Sequence, residues 1–215
     1  MIDVITLKGV VPKIFGHSLT WKSDVWLADL QFVKGSRYLV EAASGRGKTS
    51  LCSFIMGMRS DYDGSILFDG RDTGNFNSSE WSRLRRNALA WMPQELGLFP
   101  QLTLAENIAI KNRLTNHLDS QRIETLVRRL GLFEKMNTKA SLLSIGQQQR
   151  GAFIRMLCQP ADFYLLDEPV SHLDAENNKL LSEILEQELE RTGSGVIVTS
   201  VGNRLALDNL QRITL

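Results

Sequence analysis

The chain has 215 residues, 43% hydrophobic and 23% charged, enough for one large α/β core with a helical insert and short for two independent domains. Its 25 basic and 24 acidic side chains leave a net charge of +1, so no global field draws it to nucleic acid or to an anionic membrane surface. The start, MIDVITLKGV, lacks the basic and continuously apolar pattern of a signal peptide, and no apolar run reaches roughly 18 residues, so nothing is expected to span a bilayer.

Short apolar or alternating runs at residues 4–7, 26–32, 38–41 and 65–68 predict strands. Between the last two, SGRGKTSLCSFIMGM predicts a glycine-rich turn running into a helix, and YDGSILFDGRD a hairpin at a sheet edge. Apolar residues three or four apart predict helices over 105–114, 120–130 and 144–157, with Gly131 ending the second and 139–143 a loop. Strand and helix then alternate: a buried strand at 163–166, a helix at 175–191 closed by Thr-Gly-Ser-Gly, a strand at 195–199 and a short last one at 213–215. This order predicts an α/β fold, a parallel sheet carrying helices with a helical segment inserted in its middle. Cys52 and Cys158 sit in apolar helical contexts without CxxC spacing and read as small buried hydrophobes.

Residues 42–49, Ala42-Ala43-Ser44-Gly45-Arg46-Gly47-Lys48-Thr49, follow an apolar strand and precede a helix, with Ser50 next. That is the context of a phosphate-binding loop. Backbone N–H groups at the helix start converge on phosphate oxygens, and Gly45 and Gly47 let the backbone approach them. Lys48 places a cation on the β- and γ-phosphates, and the Thr49 hydroxyl can ligate Mg²⁺. Ala42 stands where the usual pattern has glycine, which costs about 1 kcal/mol or more only if its φ must be positive. Farther along, FYLLDEP is an apolar strand ending in two carboxylates. Asp167 is expected to hold the Mg²⁺ shell through water, and Glu168 to orient or deprotonate the attacking water.

LSIGQQQR, residues 143–150, carries the family signal. It resembles the LSGGQ signature of ABC ATPases and the QQR helix that follows, placed shortly before the Asp-Glu strand. The resemblance covers essentially the whole chain and implies one domain over residues 1–215 with a P-loop NTPase fold. Its mainly parallel core spans about residues 1–93 and 158–215, with an N-terminal antiparallel β subdomain and an α-helical subdomain over about 94–157. It implies that Ser144, Gly146 and Gln147 grip the γ-phosphate bound to the opposite subunit. WMPQELGLFPQLTLAENI resembles the Q-loop region, which implies that Gln94 senses Mg²⁺ and the attacking water. SHLD resembles the D-loop, with Asp174 facing the other subunit and His172 a surface residue. VIVTS resembles the strand before the switch histidine, a position held here by Ser200, and Ile145 replaces the first signature glycine. The adenine is expected to stack on an aromatic upstream of the loop, Phe15 first and Trp21 second.

The resemblance implies ATP and Mg²⁺ as ligands, a nucleotide-sandwiched homodimer, and slow, partner-regulated hydrolysis. It further implies a separate transmembrane permease-like subunit that holds the chain on the inner, cytoplasmic face of the membrane. The compact ending, NRLALDNLQRITL, resembles the small cassettes of lipoprotein-release, macrolide-export and cell-division complexes. A regulatory or scaffold module that closes on ATP with negligible turnover is the alternative. Leu96, Leu98, Phe99 and Leu102 lie in a segment that reads as loop, and apolar loop residues predict a contact surface for the membrane partner. Packing onto the chain's own helical insert is the competing expectation.

Overall fold

A computed structural model describes residues 1–16, 21–202 and 204–215. Five parallel strands form the central sheet in the order β6-β7-β8-β3-β9: β3 (Arg37–Glu41), β6 (Leu89–Met92), β7 (Phe163–Asp167), β8 (Gly195–Ser200) and β9 (Gln211–Thr214). Four antiparallel strands form a second sheet in the order β2-β1-β4-β5, from β1 (Val4–Pro12), β2 (Asp29–Val33), β4 (Tyr62–Phe68) and β5 (Arg71–Asp72). Both sheets were expected. The β4–β5 hairpin closes through Asp69 and Gly70, both at positive φ, which is the two-residue turn whose twist suits antiparallel strands.

Alternation along the parallel strands sorts the core into two layers. Tyr38, Val40, Phe163, Leu165 and Ile197 face α1 (Lys48–Ile55) and the antiparallel sheet. Leu39, Tyr164, Leu166, Val196 and Val198 face the opposite way. They share that core with α3 (Leu104–Asn112), α4 (Ser120–Arg129), α5 (Ile145–Leu157) and α6 (Ala175–Thr192). Gly131 stops α4 at φ 64°, and Gly193 caps α6 at φ 65°. Cys52 and Cys158 are free and buried.

The strand over 26–32 starts later than expected: Trp26 is buried and Leu27 turns at φ 62° before β2 begins at Asp29. Helix α2 (Ser78–Asn87) and the edge strand β6 were not expected. The helix carries only Trp81 and Leu84 as apolar residues, too few to show a periodic face, and the strand is four residues long. Residues 139–143 form a loop with a single 3₁₀ turn at Ala140–Leu142.

Parallel strands bring their carboxyl ends to one edge of the sheet, the place where ligands bind in folds of this kind. Register fixes what stands there: Glu41 lies opposite Ser200, Asp167 opposite Thr199, and Met92 opposite Leu166.

Candidate active site

The turn after β3 wraps the N-terminus of α1. Gly45 and Gly47 have φ of 78° and 97°, and a Cβ on Gly47 would fall 2.9 Å from the Trp26 ring and 3.2 Å from Phe15. Only glycine fits there. Ala42 has no positive φ, and its N–H donates to the Ser200 carbonyl at 3.2 Å, so the missing first glycine costs no backbone strain.

Lys48 is 5% exposed; its ammonium donates to the Ala42 and Ala43 carbonyls at 3.0 and 3.1 Å and lies 3.6 Å from Glu168 Oε1. One cavity of about 320 Å³ joins Phe15, Ser44, Gly45, Gly47, Lys48, Thr49, Ser50, Gln94 and Glu168, with Ile14 and Arg59 at its margin. Four stretches far apart in sequence therefore share one space. Arg59 donates to Ser50 Oγ at 3.1 Å while paired with Asp61. A second cavity of about 110 Å³ holds Glu168, Ser171, Ser200, Val201 and Gly202. Ser200 is 2% exposed and its hydroxyl accepts the Gly202 N–H at 3.0 Å.

Glu168 sits at φ 52°, a conformation that non-glycine residues adopt at a cost of order 1–3 kcal/mol. Its N–H donates to the Thr199 carbonyl at 3.2 Å, and its carbonyl accepts Gln149 Nε2 at 3.3 Å. The strained turn swings the carboxylate into the cavity beside Lys48.

Asp167 is 1% exposed. Its Oδ1 accepts the Thr199 hydroxyl at 2.5 Å, while the buried Oδ2 has no partner. A buried carboxylate oxygen without a donor is a fit for a hydrated cation. No cluster of three His, Cys, Asp or Glu side chains able to hold a metal occurs among the described residues. Below Asp167, burial first and then the Asp167 charge push the Cys52 thiol well up, so it stays protonated.

Ser144 caps α5 in a reciprocal box: its hydroxyl accepts the Gln147 N–H at 3.3 Å and its own N–H donates to Gln147 Oε1 at 3.0 Å. A Cβ on Gly146 would lie 3.3 Å from the His172 carbonyl, so the signature turn packs on the 171–174 loop. Asp174 caps α6, accepting the Asn177 N–H at 2.8 Å, and that hydrogen bond leads the causes holding its carboxyl below the usual range. Ser144, Gly146, Gln147 and Asp174 line neither cavity. Arg46 turns its guanidinium over Trp21 at 3.9 Å, and its carbonyl accepts Trp26 Nε1 at 3.0 Å. Phe15, edge-on to Trp21 at 5.3 Å, keeps its place at the cavity wall.

Thr199 and Gln149 were missed from the sequence. Gln149, 1% exposed, reaches the Glu168 carbonyl and the Ser171 hydroxyl and accepts the His172 N–H, tying the carboxylate turn to the 171–174 loop. The available signal was a polar residue inside an otherwise apolar stretch, VIVTS for Thr199 and the inward face of α5 for Gln149.

A glycine turn at the head of a helix, beside parallel strands ending in carboxylates, defines a phosphate-loop α/β protein. The chain belongs to the ABC transporter family, whose sequence pattern matches residues 27–171. It is 32% identical over 190 residues to the macrolide export ATP-binding/permease protein MacB of Shewanella sp. (strain ANA-3), covering 86% of this chain and 28% of that protein. The chain thus spans under a third of the length of the first curated relatives it matches, 28% and 30%. Its fold is similar to the dimeric structure of MJ0796, a bacterial ABC transporter cassette, with a TM-score of 0.81 at 22% identity over 98% of this chain and 94% of that one. It is also similar to the same cassette in a post-hydrolysis state bound to ADP and Pi, with a TM-score of 0.76 at 22% identity over 93% and 88% of the two chains.

Proposed function

We propose that this chain is a Mg²⁺-dependent ATPase subunit that closes as a nucleotide-sandwiched homodimer and drives a transmembrane permease-like partner from the inner, cytoplasmic face of the membrane. The observation that carries the reading is the convergence of Lys48, Gln94 and Glu168 on the cavity of the glycine turn. The MacB relatives support it: their names join ATP binding to a permease, and this chain corresponds to less than a third of their length. No helix among the described residues is long and apolar enough to cross a membrane. A net charge of +1 offers nucleic acid no field, and none is assigned as a partner.

In this reading Phe15 stacks on the adenine, and the N–H groups of residues 43–50 hold the phosphates at the start of α1. Lys48 exchanges the Ala42 and Ala43 carbonyls for β- and γ-phosphate oxygens. Thr49, Asp167 and Gln94 would hold Mg²⁺, which when bound offsets the charge that develops on the transferring phosphoryl group. Glu168 takes a proton from water as its oxygen bonds to the γ-phosphorus and the bond to the β–γ bridging oxygen breaks, giving ADP and phosphate. Gln94 and Ser200, each sharing a cavity with Glu168, position that water. Ser144, Gly146 and Gln147 serve the γ-phosphate of the opposite subunit through the amides at the start of α5, and Asp174 adjoins them at the dimer interface.

Steady-state phosphate release tests this against a regulatory module with negligible turnover. Wild-type protein in Mg-ATP should release phosphate at least about a hundredfold faster than Lys48→Ala or Glu168→Gln, since removal of one such group costs on the order of 3 kcal/mol in the barrier. Wild-type release at the level of both variants would favour the regulatory reading.

A further inference from the structure

Away from the phosphate cavity, the helical insert holds two half-buried cations without a carboxylate partner among the described residues. Lys111 near the end of α3 and Arg155 near the end of α5 are half-buried on helices packed against each other. Among the described residues neither is paired with a carboxylate, and Arg155 Nε is buried without a hydrogen-bond partner. The Arg155 guanidinium carbon lies 5.5 Å from the centroid of the Phe99 ring. A Cβ on Gly97 would come within 3.7 Å of Arg155 Nη1, so the loop bearing Phe99 runs directly over this cation. Burial first and the neighbouring Arg155 second bring the Lys111 ammonium down to about 8. The Cys158 thiol close by is pushed up to about 12 by burial, so it stays neutral and supplies no counter-charge.

Several other covered charges are paired. Lys34 pairs with Asp162, Arg37 with Glu186, and Arg191 with Glu188. Two like charges held partly away from water cost free energy.

We propose that Lys111 and Arg155 form an anion-recognition element that receives one Asp or Glu side chain from the segment of the membrane partner seated against Phe99. The inference rests on the docking reading of this face and adds the chemistry of what docks. A carboxylate matches the planar guanidinium fork and the adjacent ammonium. Phe99, 47% exposed beside them, supplies an apolar anchor of the kind that centres protein interfaces. An anionic lipid surface fits less well, because it attracts clusters of exposed basic residues and these two are recessed under a loop.

Two fluorescent amphipathic helical peptides with the same apolar face, one with a central Glu and its twin with Gln, test the proposal on the full chain. The Glu peptide should bind wild type about tenfold tighter than its twin, and the double variant K111Q/R155Q should bind both alike. Independently, Lys111→Met should raise the melting temperature of the isolated chain by about 2–4 °C, since it removes an uncompensated charge. Equal binding of the twins to wild type, with both lost in Phe99→Asp, would leave the docking face standing and remove its anion specificity. Failure of both peptides to bind would overturn the docking face and this inference together. Phosphatidylglycerol vesicles that retain wild type and release the double variant would assign the cations to lipid instead. A fall in melting temperature for Lys111→Met would contradict the absence of an internal partner.

Discussion

Gly47 meets a requirement that no side chain can share. At φ 97° its Cβ would press on Trp26 and Phe15, the two rings that back the phosphate turn. Gly47→Ala should therefore cost about 1–3 kcal/mol in stability and weaken ATP binding at least tenfold, read by denaturant unfolding and a fluorescent-nucleotide titration. Wild-type affinity in a normally stable Gly47→Ala protein would mean that the turn relaxes without cost. Lys48, Thr49 and Glu168 were legible in the sequence because phosphate chemistry demands those groups at that spacing. The harmlessness of Ala42 was not, since it depends on a φ that sequence does not show. Nor was the strain at Glu168, which arises where β7 ends and its N–H is held by Thr199. His172, read as a surface residue, is exposed, with Nδ1 2.9 Å from the Ser171 hydroxyl.

At the scale of elements, Glu188 on α6 is a clamp between the helical insert and the core. It is 2% exposed and meets Arg191 at 2.7 Å, His117 at 3.7 Å and Arg122 at 3.8 Å. Burial alone would raise its pKa, but the neighbouring His117 imidazole and the Arg191 guanidinium outweigh it and hold the group at about 2, against an ordinary 4.5. A depressed carboxylate adds stability above its unfolded pKa and loses it as pH falls through the folded one. Wild-type stability should therefore decline from about pH 5 towards pH 2 more steeply than that of Glu188→Gln, which should be about 3 kcal/mol less stable near neutrality. Parallel pH profiles for the two proteins would contradict the clamp. Periodicity showed α3, α4 and α5, because each buries a regular apolar face. Helix α2 was signalled only by its capping box, in which Asn77 and Glu80 exchange hydrogen bonds. Asn107 was silent in the sequence, yet it is fully buried and holds the loop before α3 through Phe99, Leu102 and Thr103.

For the whole molecule, that loop corrects the expected docking surface. Leu96 is 7% exposed, and Leu98 packs against the core of the helical insert. Leu102 is half-buried at the foot of α3. Apolar residues in a loop were read as a contact surface, but the loop folds back and fills the chain's own interior, leaving Phe99 as the exposed ring. Phe99→Asp should therefore leave ATP affinity and melting temperature near wild type while reducing capture of the proposed membrane partner at least tenfold. Retained capture by a folded Phe99→Asp protein would remove this face from the interface.

In the proposed cycle ATP closes two copies of this chain around composite sites, and Glu168 then opens them by hydrolysis. Glu168→Gln keeps Lys48, Thr49 and Asp167 for binding and loses the group that takes the proton. Light scattering of Glu168→Gln with and without Mg-ATP measures the outcome directly. The variant should shift from the 24.2 kDa monomer to a dimer in Mg-ATP, with no shift in ADP. A variant that stays monomeric at high concentration while releasing phosphate at the wild-type rate would contradict it.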